Sequence, residues 1–149
     1  MRCLSPLIAW RRKDRVGVTL KFSEGDSRFG LKLPCGSCVA CLLERSRQHA
    51  VKCMHEAECH DRSCFVTLTY DEENLPYGGS LVKEHFQKFV RALRDSMEVP
   101  VRYFGCGEYG ARWGRPHYHA LLFGVDFVED RRVSGKRAGT EVFRSARLE

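Results

Sequence analysis

The ten residues Arg115-Pro-His-Tyr-His-Ala-Leu-Leu-Phe-Gly124 constrain this chain more than any other segment. A short polar alternation runs straight into the apolar block Ala120–Phe123, which reads as a strand held rigidly in the middle of a sheet. Side chains at i and i+2 of a strand project to one face, so His117 and His119 stand together while Tyr118 points the other way. Their α-carbons lie about 7 Å apart, close enough for two imidazoles to converge on one ion. Glu108, at the end of the preceding predicted strand, reaches the same face if the two strands form a hairpin. Two histidines and a carboxylate leave coordination positions open, which is the pattern of a catalytic rather than a structural site. Spacing alone leaves a second reading open, because two histidines on a solvated face need no ligand.

The rest of the chain supplies a sheet and helices around that segment. Arg15–Phe22 alternates as a half-buried strand, Ser23–Gly30 reads as a turn, and Leu31–Leu33 as a second short strand. Pro34-Cys-Gly-Ser-Cys38 is a tight loop. From Val39 to His60, Leu43, Ala50, Cys53, Met54 and Ala57 recur at helical spacing among charged residues. Cys64–Tyr70, rich in β-branched and aromatic residues, reads as a central strand. Asp71–Gly79 is a loop, and Leu81–Met97 is a helix with Phe86, Phe89, Val90 and Leu93 on one face and Ser80 as N-cap. Val101–Glu108 and His117–Val125 are strands, joined by the Gly-rich Tyr109–Arg115. The architecture expected is α+β, a small antiparallel sheet covered by helices. Its expected parts are an N-terminal strap and Cys-rich segment over 1–42, a core over 43–127, and a basic tail over 128–149. That tail is either disordered or the start of a further element, which would leave the fold incomplete at its C-terminus.

At 149 residues the chain is long enough for one domain with a core and too short to expect two. Lysine and arginine total 25 against 19 aspartates and glutamates, a net charge of +6, which suits a polyanionic partner without proving one. The first residues place Arg11, Arg12 and Lys13 after a short apolar stretch, the reverse of a secretory signal. No apolar run is long enough to span a bilayer, so the reading is a cytosolic protein with no membrane partner. Eight cysteines fit a metal or free thiols better than disulfides, since Cys35, Cys38 and Cys41 repeat every third residue. They supply three of the four thiolates of a closed tetrahedral zinc site, and Cys3 is the preferred fourth. Cys53, Cys64 and Cys106 read as buried small hydrophobes, and Cys59 with His55 and His60 is a weaker ligand set.

Several motifs in order carry a family resemblance. Pro-His-Tyr-His-Ala-Leu-Leu-Phe123 is similar to the His-hydrophobic-His motif of HUH endonucleases, the Rep-type initiators of rolling-circle replication. Phe65-Val-Thr-Leu-Thr-Tyr70 followed by Asp-Glu-Glu-Asn-Leu-Pro76 looks like their first motif. Together with Pro34-Cys-Gly-Ser-Cys38, Leu43-Glu-Arg-Ser-Arg47, Cys53-Met-His-Glu56 and Gly107-Glu-Tyr-Gly110, the set resembles more narrowly the initiators of gokushovirus-type microviruses, small single-stranded DNA phages. The resemblance spans Cys3 to Phe127 and implies a ferredoxin-like sandwich. It implies Glu108, His117 and His119 as ligands of Mg²⁺ or Mn²⁺, with Glu72 and Glu73 as rival carboxylates. A mixed imidazole and carboxylate set suits Mn²⁺ on chemical grounds. The resemblance further implies origin-specific nicking and joining of single-stranded DNA through a 5′-phosphotyrosine in a bacterial host's cytoplasm, with a host helicase or polymerase as a further partner.

The family's nucleophile follows the histidine strand as Tyr-x-x-Lys or a near variant. Of Tyr70, Tyr77, Tyr103, Tyr109 and Tyr118, only Tyr109 has a basic residue three positions on, Arg112, and it precedes the histidines. The catalytic tyrosine is therefore expected beyond Glu149, and the chain alone is expected to be inactive. Among Arg45, Arg47, Arg91, Arg94, Arg112 and Arg115, the pair Arg112 and Arg115 are the favoured phosphate contacts. Trp113, Tyr109 and Tyr77 are candidates for stacking on unpaired bases, with Tyr77 and Trp113 equally readable as core plugs. Two further readings stand beside the nickase: a non-catalytic, metal-stapled DNA-binding module, and a structural zinc protein.

Overall fold

The computed structural model of the chain describes residues 3–14 and 16–148, and the side chains of all of these except 27–29. They fall into two compact units, residues 1–52 and 53–149, where the length predicted one. In the first unit, β1 (Leu7–Arg12), β2 (Val18–Thr19) and β3 (Gly25–Leu33) form an antiparallel sheet in the order β2-β1-β3. The strand predicted over 15–22 shrinks to two residues, and its first residue lies outside the described ones. The Thr19 hydroxyl accepts a hydrogen bond from the Lys21 backbone N–H at 3.1 Å, and Phe22–Glu24 then coils into a 3₁₀ turn. Side-chain bonding of this kind competes with a strand ladder. Most of the predicted turn 23–30 instead belongs to β3. Gly25 opens that strand against Trp10, whose Cβ would sit 2.3 Å from any Cβ placed there. The apolar N-terminal stretch, read as a strap, is β1. The helix predicted over 39–60 is α1 (Val39–Glu58), which begins in the first unit and ends in the second.

The second unit is built on β4 (Ser63–Thr69), α2 (Lys83–Ser96), β5 (Arg102–Tyr109) and β6 (Pro116–Phe123). The strand order is β4-β6-β5, all antiparallel. Cys64–Tyr70, predicted as central, is an edge strand, and the His-Tyr-His strand occupies the middle. One face of this sheet is the core. Val66, Ala120 and Leu122 lie there with Leu93, Val101, Val125 and Phe127, and Leu122 is fully buried. The predicted helix face packs against it through Phe86, Phe89 and Leu93. Gly105 permits this approach, since a Cβ there would meet the Phe86 ring at 2.6 Å. Ser80 is not the N-cap. The helix starts two residues later than predicted, with Val82 in the cap position and no side-chain cap. Instead the Tyr118 hydroxyl accepts from the Val82 N–H at 2.9 Å and donates to its carbonyl at 2.8 Å, satisfying backbone groups a helix start leaves open.

The tail over 128–149 forms a two-stranded ribbon, β7 (Arg131–Arg137) and β8 (Thr140–Ser145). Ala138 and Gly139 both adopt positive φ, 49° and 84°, the geometry of the tight turn that matches strand twist. The usual Asn-Gly signal is missing, which hid the hairpin. The Asp130 carboxylate accepts from Ser145 Oγ at 2.8 Å and from the Arg147 N–H at 3.1 Å, and Leu148 packs against the core. These contacts tie the ribbon's end back to the unit, and the Ser145 hydroxyl first of all holds the carboxyl below its usual pKa. The α+β architecture predicted from sequence is thus what is observed. No helix among the described residues is long and apolar enough to cross a membrane.

Candidate metal centre and nucleic-acid face

Register places the functional side chains. Glu108 on β5 lies directly opposite His117 on β6, and Cys106 opposite His119. On the other side Thr69 faces His117, Thr67 faces His119 and Phe65 faces Leu121. Directly opposed residues share a sheet face, so these side chains form one surface, on the side away from α2. One ligand atom from each of Glu108, His117 and His119 falls within 4.8 Å of the others. The His119 Nε2 is 3.6 Å from a Glu108 carboxylate oxygen, and the two imidazoles meet edge to face at 4.8 Å between centroids.

The other ring nitrogens are already engaged. His117 Nδ1 lies 3.1 Å from the Arg115 carbonyl oxygen and so carries the proton that it donates. His119 Nδ1 is 2.9 Å from the Thr67 hydroxyl. Both contacts leave Nε2 free to present a lone pair, the outer-shell arrangement that fixes tautomer and ring angle in a metal-binding histidine. The donor set therefore fits a divalent cation with open positions. Glu72 does not compete, because it is paired with Arg115 at 2.6 Å.

The surface around these ligands is open. Glu108, Thr67, Thr69 and Cys106 are exposed, as are Phe65 (62%) and Phe104 (41%). Cys106, predicted to be a buried thiol, is thus a solvent-facing neighbour of His119. Phe65 stacks on the His119 ring at 5.2 Å with 22° between planes. Thr67 and Phe65 carry no signal of their own in the sequence beyond alternation with Val66 and Leu68. Only the β4–β6 register reveals them.

The predicted DNA contacts divide. Arg115 is occupied by Glu72 and by the Tyr70 carbonyl at 2.7 Å, so it braces the loop after β4. Arg94 donates to the Val101 carbonyl, Arg47 pairs with Glu44, and Arg45 donates to the Gly36 carbonyl. Arg112 lies over the Trp113 ring at 5.1 Å, and Trp113 is 81% exposed. Tyr77 is also fully exposed, so neither is a core plug. Tyr109 is half-exposed, and its hydroxyl accepts from the Leu81 N–H. Cys59 donates to the His55 carbonyl and His60 pairs with Glu56, so these form no ligand set. By contrast Cys3, Cys35, Cys38 and Cys41 do converge. There the Ser37 and Cys38 backbone N–H groups lower the Cys35 thiol to about 6.

A family model described as replication-associated protein ORF2 matches residues 63–145, from the start of β4 to the end of β8. The chain belongs to this family. This replication-associated protein is 33% identical over 144 residues to the replication-associated protein ORF2 of Spiroplasma virus 4, covering 84% of this chain and 45% of that one. It is 33% identical over 132 residues to the replication-associated protein VP4 of Bdellovibrio phage phiMH2K, covering 83% of this chain and 41% of that protein. A third relative, replication-associated protein ORF4 of Chlamydia phage 1, is 33% identical over 102 residues, 65% of this chain and 25% of its own length. The resemblance to phage initiators drawn from the motifs is borne out. The chain spans less than half the length of these curated relatives. No solved structure matches it.

Proposed function

We propose that this replication-associated protein carries the metal-binding half of an HUH-type site that nicks and rejoins single-stranded DNA at a replication origin. The observation that supports this reading best is the convergence of Glu108, His117 and His119 on an open face, with each outer ring nitrogen already held. A Mg²⁺ or Mn²⁺ ion held by these residues would draw charge from a non-bridging oxygen of the scissile phosphate and orient it. The chain's own part is to fix that phosphate against a rigid central strand. Exposed Phe65 and Trp113 offer rings to unpaired bases.

In the reaction a tyrosine oxygen attacks phosphorus and loses its proton. The bond to the 3′-oxygen breaks, and that oxygen takes up a proton to leave a free 3′-hydroxyl and a 5′-phosphotyrosine. The attacking tyrosine is assigned to sequence outside these 149 residues. Tyr70 and Tyr118 bond each other at 2.9 Å on the core side of the sheet. Burial first of all, and then the Tyr118 hydroxyl, raise the Tyr70 phenol well above its ordinary pKa, which disfavours the phenolate. The full-length protein should capture origin single-stranded DNA covalently in the presence of Mn²⁺, read as a protein–oligonucleotide adduct on a denaturing gel, while residues 1–149 should yield none. DNA binding by the full-length protein without any adduct would favour the non-catalytic binding module.

Charge points to where the backbone is gripped. Residues 1–52 carry eleven lysines and arginines against four acidic residues, whereas 53–149 carry fourteen against fifteen. The whole positive excess lies in the first unit. Arg11→Ala and Lys32→Ala, at exposed positions of β1 and β3, should each reduce the slope of log K against log[salt] for single-stranded DNA by about 0.7. An unchanged slope would move the phosphate contacts elsewhere.

A further inference from the structure

The first unit has almost nothing to hold it together by burial. Among its described residues the only buried hydrophobic side chains are Ala9 and Ala40, while Leu7, Ile8, Val18, Leu20, Phe22 and Leu31 are each more than 40% exposed. Units of this size with so small a core usually depend on a disulfide, a metal or a partner. The same unit holds four free cysteines whose sulfurs lie within 4.8 Å of one another.

Their convergence follows from the fold. Leu7 pairs with Leu33 at the end of the β1–β3 ladder, so Cys3, four residues before β1, and Cys35, two residues after β3, leave the sheet at the same end. Cys38 immediately precedes α1 and Cys41 lies in its first turn, three residues on and therefore on the same side. The separations are 3.9 Å for Cys3 Sγ to Cys38 Sγ and 4.0 Å for Cys35 Sγ to Cys41 Sγ. Four thiolates around zinc at about 2.3 Å define a tetrahedron with edges of about 3.8 Å. A disulfide would need about 2.05 Å.

The surrounding backbone is arranged for thiolates. The Cys38 N–H points to Cys35 Sγ at 3.4 Å and the Cys35 N–H to Cys3 Sγ at 3.3 Å. Gly36, at φ 79°, makes the sharp turn between them, and Arg45 grips its carbonyl at 3.2 Å. N–H groups directed at sulfur favour the charged form that a metal requires.

We infer that Cys3, Cys35, Cys38 and Cys41 bind one structural zinc ion that clips the end of the β1–β3 ribbon to the start of α1. All four positions are filled by protein, so the ion has no place for substrate and serves the fold. This site is separate from the histidine face and does not depend on the nicking assignment. It would also make the basic first unit a zinc-dependent module.

Residues 1–149, purified under reducing conditions without chelator, should contain one equivalent of zinc by elemental analysis, with an X-ray absorption shell of four sulfurs at about 2.3 Å. His117→Ala and Cys53→Ser should retain it, and Cys38→Ser and Cys41→Ser should lose it. Should those two serine variants fail to fold, cobalt exchanged into the wild-type protein should show thiolate charge-transfer bands and tetrahedral d–d bands. Removing the metal should abolish amide-exchange protection in β1 and β3 while leaving β4, β5 and β6 protected. Zinc-free folded protein, a shell containing nitrogen or oxygen, or a disulfide among these cysteines by mass spectrometry would each overturn the assignment.

Discussion

His119→Ala is expected to weaken Mn²⁺ binding to residues 1–149 by more than about 100-fold and to abolish covalent DNA capture by the full-length protein. Losing an outer-shell partner of a metal ligand typically costs about 10–100-fold, and removing the ligand itself costs more. His119 is placed for this role by three contacts. Its Nε2 faces Glu108, its Nδ1 is held by Thr67, and Phe65 stacks on its ring. Thr67→Val, which keeps the shape of the side chain and removes the hydroxyl, should fall within about the same 10–100-fold range and leave some metal bound. Both side chains lie on the open face, away from the core, so amide exchange in β6 should be preserved in both variants. Titration of Mn²⁺ followed by electron paramagnetic resonance reads the affinity without any need for nicking. Equal affinities in wild type and His119→Ala would remove the metal centre from that face.

Leu122→Ala is expected to destabilise the second unit by about 2–5 kcal/mol. Leu122 is completely buried in the middle of the central strand, within a cluster that draws on β4, β6, α2 and the segments after β6. Its loss removes apolar burial and leaves a cavity, because neighbours anchored in several elements relax only partly. For a unit of this size each kcal/mol corresponds to about 4–8 °C of melting temperature, so a fall of more than about 10 °C should be seen. Leu121, on the histidine face and only partly buried, provides the control, and Leu121→Ala should cost much less. Amide exchange of β6 under increasing urea would separate this unit's opening from that of the first. A loss below about 1 kcal/mol for Leu122→Ala would show that the core is not centred there.

The coupling between these two variants shows how site and fold share one strand. Alternation along β6 sends Tyr118, Ala120 and Leu122 to the core and His117 and His119 to the open face. That division was legible in ten consecutive residues, because a strand's two-residue period is set by covalent geometry and needs no knowledge of neighbours. Glu108 was one of three carboxylates until the β5–β6 register put it opposite His117 and the ion pair with Arg115 occupied Glu72. Arg115 itself, expected to meet phosphate, turned out to brace the loop. Thr67 and Phe65, more than fifty residues from the histidine they contact, could not be found from local pattern at all.

Local pattern was enough for the α+β class, the two long helices, the histidine face, the cysteine spacing and the family. Each of these is written in periodicity, fixed spacing or ordered motifs. It took the folded chain to show that the histidine strand is central and Cys64–Tyr70 an edge, that the chain divides after Lys52, that the basic tail closes as a hairpin, and that Cys3 meets the other three thiols. Strand order, register and the meeting of distant residues are settled by which long-range pairings bury most surface and satisfy most backbone groups. That competition involves the whole chain at once, and no short window of residues contains it.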